Sequence, residues 1–260
     1  MNEIILHAIL AIFLISTICA PLGPLAIWQK LSFVGDALAH AALLGVAVAL
    51  GLEFPPILGM IVVSAIVGGY LVLVDERKQA VDASLVVLAY GGLAGALALS
   101  SLLDVNKNLL ESYLFGDILS ISRQDIIVLL GAVVFMLFVI RWRWERFLLM
   151  TLNRELAAAH QIDFRRERLI FIGLLSAGIA IAIKAFGAIL VGAIFIIPAL
   201  SVRLFSKSPE QMVQLSFFAS IISGIAGLAI SWQWDVPTGP AIILASLFLL
   251  LMSRLIGYIK

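Results

Sequence analysis

Charged residues and turn formers divide the chain into nine apolar runs, at about 4–28, 37–52, 55–74, 83–103, 126–140, 169–184, 186–204, 211–232 and 238–256. The runs are rich in Leu, Ile, Val and Ala, and they do not alternate polar with apolar positions as barrel strands of ~10 residues would. Charge-free windows at Ile4–Gln29, Phe54–Val74, Ala83–Leu103 and Gln211–Trp234 match or exceed the ~20 residues that carry a helix through the hydrocarbon core. Lipid offers no partner to an unpaired backbone N–H or C=O, so the runs predict helices. The expected fold is all-α, a polytopic integral membrane protein with eight or nine transmembrane helices. The 37–52 and 169–184 runs are short, which leaves room for eight full spans and one partial insertion.

Charge supplies the orientation. Nine crossings with the N-terminus outside put fourteen of the seventeen Lys and Arg residues inside, as the positive-inside rule requires. Only Lys107, Arg123 and Lys184 stay outside, and losing one span would undo the bias downstream. Two connections are long. The outside one, 104–125, reads as a cap or lining of an outer mouth. The inside one, 141–168, is basic at both ends and helix-friendly at its centre. There Asn153 is placed to cap a short helix, with Glu155 in its first turn where a carboxylate suits the dipole. A solvated loop along the lipid headgroups is the other reading of this segment.

Composition agrees with a membrane chain. Hydrophobic residues make up 63% and charged residues 13% of the 260 positions, against roughly 45–50% and about 25% in soluble domains. Mean hydropathy is +1.15. A net charge of +1 gives no sign of a nucleic-acid partner. The single cysteine, Cys19, cannot form an internal disulfide and reads as a small buried hydrophobe. The first run lacks a basic leader and an obvious cleavage site, so it is expected to be retained. One membrane domain, 1–260, accounts for the chain.

Candidate chemistry sits in residues 35–47, GDALAHAALLGVA, where a small-residue apolar helix carries Asp36 and His40. On that helix Ala37, Ala41, Gly45 and Ala49 form a stripe at four-residue spacing, which permits close approach of a neighbouring backbone. Asp36 and His40 lie one turn apart beside the stripe. An ionised Asp at mid-bilayer costs about 2.5–3.5 kcal/mol, so the pair is expected to face protein or a cavity. Two readings stand. In one, Asp36 caps the helix at the membrane surface and His40 is its hydrogen-bonded neighbour. In the other, an oxygen and a nitrogen ligand meet a passing Zn²⁺ or similar divalent ion. Two ligands do not complete a four-coordinate site, but a symmetric dimer supplies two Asp and two His about its axis. Incomplete coordination also suits passage, because an ion held too firmly is not released.

Asp117, in YLFGD, is a weaker candidate for recruiting cations at the outer mouth, and capping a turn is the commoner use of such a residue. His7 and His160 read as interfacial or solvated, Lys184 as snorkelling to the outer surface, and Pro198 as bending a helix. No G-x-x-x-x-G-K-[ST] sequence is present, so the chain does not itself cradle ATP, and H-E-x-x-H is absent too. Three histidines and one cysteine give no closed metal site, so no stably bound cofactor is expected. An ion-gradient-driven carrier is disfavoured by the small supply of mid-membrane acids. A membrane enzyme using Asp36 and His40 as an acid–base pair lacks a nucleophile beside them.

Four blocks, APLGPLAIWQKLSFVGDALAHAALLGVA (20–47), YLFGD (113–117), FGAILVGAIFIIPALSVR (186–203) and DVPTGPAIILA (235–245), resemble the membrane permeases of metal-uptake ABC transporters nearly end to end. G-D-x-L-A-H followed by L-L-G-V-A is most similar to the zinc branch, whereas the manganese and iron branches differ just after the histidine. The resemblance implies a bacterial inner-membrane permease, dimeric with a second copy of itself, above a cytoplasmic ABC ATPase dimer that hydrolyses the ATP. It implies an extracytoplasmic zinc-binding protein that delivers the ion, and alternating access as the mechanism. It maps the family's acid-and-histidine motif onto Asp36 and His40. It also implies a coupling helix at about Asn153–Ile162, with Asn153, Glu155, Leu156, Ala159, His160 and Gln161 meeting the ATPase. Relatives end that helix with Gly where this chain has Gln161, so the helix is expected to run on or to end differently.

Overall fold

A computed structural model describes residues 2–76, 81–103, 106–152 and 154–259. The described residues form eleven α-helices: α1 (Asn2–Trp28), α2 (Val34–Gly51), α3 (Pro56–Glu76), α4 (Val81–Leu102), α5 (Lys107–Phe115), α6 (Arg123–Leu152), α7 (Arg154–Ala159), α8 (Phe164–Phe186), α9 (Val191–Val202), α10 (Pro209–Trp234) and α11 (Thr238–Ile259). Eight of them are long and apolar enough to cross a membrane. The short ones are α5, α7 and α9.

The short transmembrane run is neither 37–52 nor 169–184. Residues 34–51 form a helix of 18 residues, and α8 reaches 23 by running back through Arg165–Arg168. The run that shortens is 186–204, whose helix α9 has only 12 residues. Gly187, at φ 77°, ends α8 and a turn consumes residues 188–190 before α9 begins. The segment still travels the depth of its neighbour. Leu190 packs on Gly239 at one end of α11 and Leu204 on Gly257 at the other, a separation of about 27 Å at the α-helical rise.

The expected inside connection 141–168 is largely helix. Leu129, Val133, Met136, Ile140, Arg143, Phe147 and Met150 are the buried residues of α6. Their alternating four- and three-residue steps keep one stripe on the core, so the helix continues through the charged stretch to Leu152.

Helix ends fall together as the charge pattern requires. Arg143 and Arg146 meet Glu167, Arg168 reaches Gln29 at 3.5 Å, and Trp144 Nε1 donates to Glu210 at 2.9 Å. The ends of α1 and α6 and the starts of α8 and α10 therefore form one basic end of the bundle. At the other end Lys184 pairs with Asp125 at 2.6 Å. There Gly116 (φ 69°) and Gly187 press backbone to backbone. Ala188 N–H donates to Tyr113 O (2.9 Å) and Asp117 N–H to Lys184 O (3.1 Å). YLFGD and FGAIL are thus one clasp. A side chain at either glycine would collide with the opposing strand of backbone and force a left-handed φ.

Candidate functional site

Helix α2 is held by backbone-close contacts with three neighbours. Gly45 lies against Gly59 of α3, with a Cβ at Gly45 falling 2.9 Å from Met60 N. Gly92, midway along α4, lies against His40 and Ala41, where an added Cβ would stand 2.9 Å from the Ala41 nitrogen. Gly35 lies against Gly192 of α9, where an added Cβ would stand 3.2 Å from the Gly192 Cα. The small-residue stripe Ala37, Ala41, Gly45, Ala49 is wholly buried, and it makes these approaches possible.

Close packing leaves α2 one opening. Between Val34 and Ala49 every residue is buried except Asp36, His40, Leu44 and Val48. These four recur at four-residue spacing and form a single half-buried stripe. Asp36 does not cap the helix: Phe33 occupies the N-cap without a side-chain hydrogen bond, and Asp36 stands in the first turn. Its carboxylate rests on the Cα of Gly192, where a Cβ would collide with it. His40 sits beside the midpoint of α4, deep in the bundle, with its imidazole against the Ala89 backbone. No third His, Cys, Asp or Glu among the described residues joins the pair.

The other candidates lie elsewhere. Asp117 is exposed, and its Oδ1 accepts from Leu119 N–H at 2.9 Å at the head of a 3-10 turn, Ile118–Ser120. It is a turn cap at the clasp end. Nearby, burial and the Asp125 carboxylate push the Tyr113 phenol above its usual range.

At the basic end, α7 stands where a short helix was expected. Ala157 anchors it in the core, and Glu155, Ala159 and His160 are exposed. Asn153 lies outside the described residues, as does the side chain of Leu156. Gln161 ends the helix in the left-handed conformation, φ 57°. Its N–H donates to Ala158 O (2.9 Å), and Ile162 N–H donates to Ala157 O (3.0 Å). That closure is the one glycine ordinarily supplies, so Gln161 leaves the helix end where a glycine would put it.

Two features have no local signal in the sequence that marks their role. Gly192, which carries Asp36, was signalled only by its place in VGAI. The Arg143–Glu167–Arg146 cluster ties α6 to α8 on either side of α7, with Glu167 only 2% exposed and Arg146 at 3.2 Å. In the sequence its charges belong to the basic 141–168 connection.

Among the described residues, eleven helices, eight of membrane-crossing length, packed about α2 with its half-buried Asp36–His40 stripe define a multi-pass helical membrane protein. Residues 1–257 match the profile of the ABC 3 transport family, and the chain belongs to that family, as a permease of the bacterial inner membrane. It is 34% identical over 255 residues to the high-affinity zinc uptake system membrane protein ZnuB of Haemophilus influenzae, with 97% of each chain covered. It is 29% identical over 243 residues to the manganese transport system membrane protein MntC of Halalkalibacterium halodurans, covering 92% of this chain and 82% of that one. Among solved structures, PsaBC from Streptococcus pneumoniae in complex with Fab superposes with a TM-score of 0.87 at 23% identity, over 96% of this chain and 90% of the other. That likeness is one of fold.

Proposed function

We propose that this chain is the membrane permease of an ATP-driven zinc importer, working by alternating access between two copies of itself. The observation that carries the reading is the single open stripe of α2, which bears Asp36 and His40 in the depth of the bundle. Facing lipid, that stripe would cost about 2.5–3.5 kcal/mol for the carboxylate alone. A two-fold axis along it instead covers the stripe with its own copy and gathers two carboxylates and two imidazoles. Such a set has the oxygen and nitrogen donors that suit zinc, while each copy alone offers too few to trap it.

Zinc is favoured by the 34% identity to ZnuB and by G-D-x-L-A-H, and the weaker similarity to MntC keeps manganese, with iron, as the second reading. The energy source lies in a separate subunit, a cytoplasmic ABC ATPase dimer, since no phosphate-binding loop occurs in this sequence. The exposed face of α7, with Glu155, Ala159 and His160, is the surface offered to it. This assigns the basic end to the cytoplasm and the N-terminus to the outside, where an extracytoplasmic zinc-binding protein docks.

Uptake of radioactive zinc by proteoliposomes containing permease and ATPase tests the reading. ATP-dependent zinc uptake that excess manganese and iron do not suppress is expected. Uptake that follows a proton or sodium gradient without the ATPase would contradict it.

A further inference from the structure

A second site lies at the basic end, away from α2. A cavity of about 690 Å³ opens among the end of α1, the last turns of α6 and the α9–α10 connection. Lys30, Arg203 and Lys207 line it, no acidic residue does, and none of the three makes an ion pair among the described residues. Its floor is apolar, with Trp28, Leu148 and Met212, and Thr151, Ser206 and Ser208 add hydroxyls.

Depth identifies what such a cavity takes. The cations stand just past the apolar stretches of three helices: Lys30 follows α1, Arg203 follows α9, and Lys207 precedes α10. They are therefore level with the lipid headgroups. Farther up the same α1–α6–α10 seam runs a mostly apolar groove of about 1090 Å³, walled by Pro21, Leu137, Phe217 and Phe218, with Arg141 and the Trp144–Glu210 hydrogen bond at the edge nearer the cavity. Three cations outside any ion pair, below an acyl-sized groove whose one carboxylate, Glu210, is engaged by Trp144, match a phosphate headgroup with its chains attached. A free anion has no use for the groove. Basic pockets between transmembrane helices recognise anionic headgroups in this way.

We propose that this cavity is a binding site for an anionic phospholipid of the leaflet at the basic end, its phosphate held by Lys30, Arg203 and Lys207. The site shares no residue with the Asp36–His40 stripe and stands or falls separately from it. Native mass spectrometry of the full chain, in detergent with phosphatidylglycerol or phosphatidylcholine added, tests it. The wild-type chain should retain phosphatidylglycerol over phosphatidylcholine. Each of Lys30→Gln, Arg203→Gln and Lys207→Gln should weaken retention about fivefold, the change expected for one neutralised charge, while Arg123→Gln at the opposite end should not. Lys30→Arg and Lys207→Arg should retain the lipid, which guards against a variant that merely misfolds. Equal retention of both lipids by the wild type, displacement of phosphatidylglycerol by millimolar inorganic phosphate, or unchanged retention in the triple Gln variant would overturn the proposal. So would loss of ATPase co-purification with lipid binding intact, which would make the cavity a protein-docking surface.

Discussion

Gly192 decides where Asp36 can be. The carboxylate lies on its Cα, with the Asp36 backbone nitrogen 3.0 Å from where a Cβ would stand. Gly192→Ala must move α9 or turn the Asp36 side chain away. Overpacking of this kind costs about 1–3 kcal/mol, so thermal unfolding of the purified complex should occur at lower temperature and zinc uptake should fall. Gln161 presents the opposite case. Its left-handed φ of 57° strains a residue with a Cβ, and Gln161→Gly should relieve about 1 kcal/mol, raising the melting midpoint while ATPase coupling is preserved. Glu167 carries the largest penalty at this scale. Glu167→Ala would leave Arg143 buried without its carboxylate, at a cost of about 3–5 kcal/mol, read as loss of stable complex on gel filtration.

Helices were legible where composition and spacing agreed. The apolar runs became α1–α4, α6 and α8–α11, and the α2 stripe stood in the sequence as Ala37, Ala41, Gly45 and Ala49. Where charge and spacing disagreed, spacing was the better guide. RWRWER looked like a loop, yet Ile140, Arg143, Phe147 and Met150 carry on the buried stripe of α6, because Glu167 receives Arg143 across the bundle. That partner lies 24 residues away, so no local pattern announces it. Gly187 explains the shortened α9 in the same terms: its backbone meets Phe115, a contact only the folded chain reveals. Of the site, the pair Asp36 and His40 was readable from sequence, but its depth beside Gly92 was not. The clasp at Gly116 and Gly187 makes one element of two motifs far apart in the chain. Gly116→Ala should therefore disturb α5 and α9 together, seen as coordinated loss of hydrogen-exchange protection at both.

Across the whole molecule, one polar stripe is joined to one basic end by α8 and α9. In the proposed importer the basic end would present α7 to an ATPase; α7 is braced by the Arg143–Glu167–Arg146 cluster, and α9 runs from that end to Gly192 beneath Asp36. On that proposal, a rigid connection of this sort would let a push at α7 reach the stripe without unfolding what lies between. Ala159→Arg, on the exposed face of α7, should abolish stimulation of the ATPase while leaving the fold and melting midpoint unchanged. The account rests most directly on zinc uptake by proteoliposomes holding the full complex with Asp36→Ala or His40→Ala in the permease. The predicted result is uptake lost or reduced at least tenfold while the permease still assembles with its ATPase. Zinc uptake at the wild-type rate with both side chains removed would contradict it.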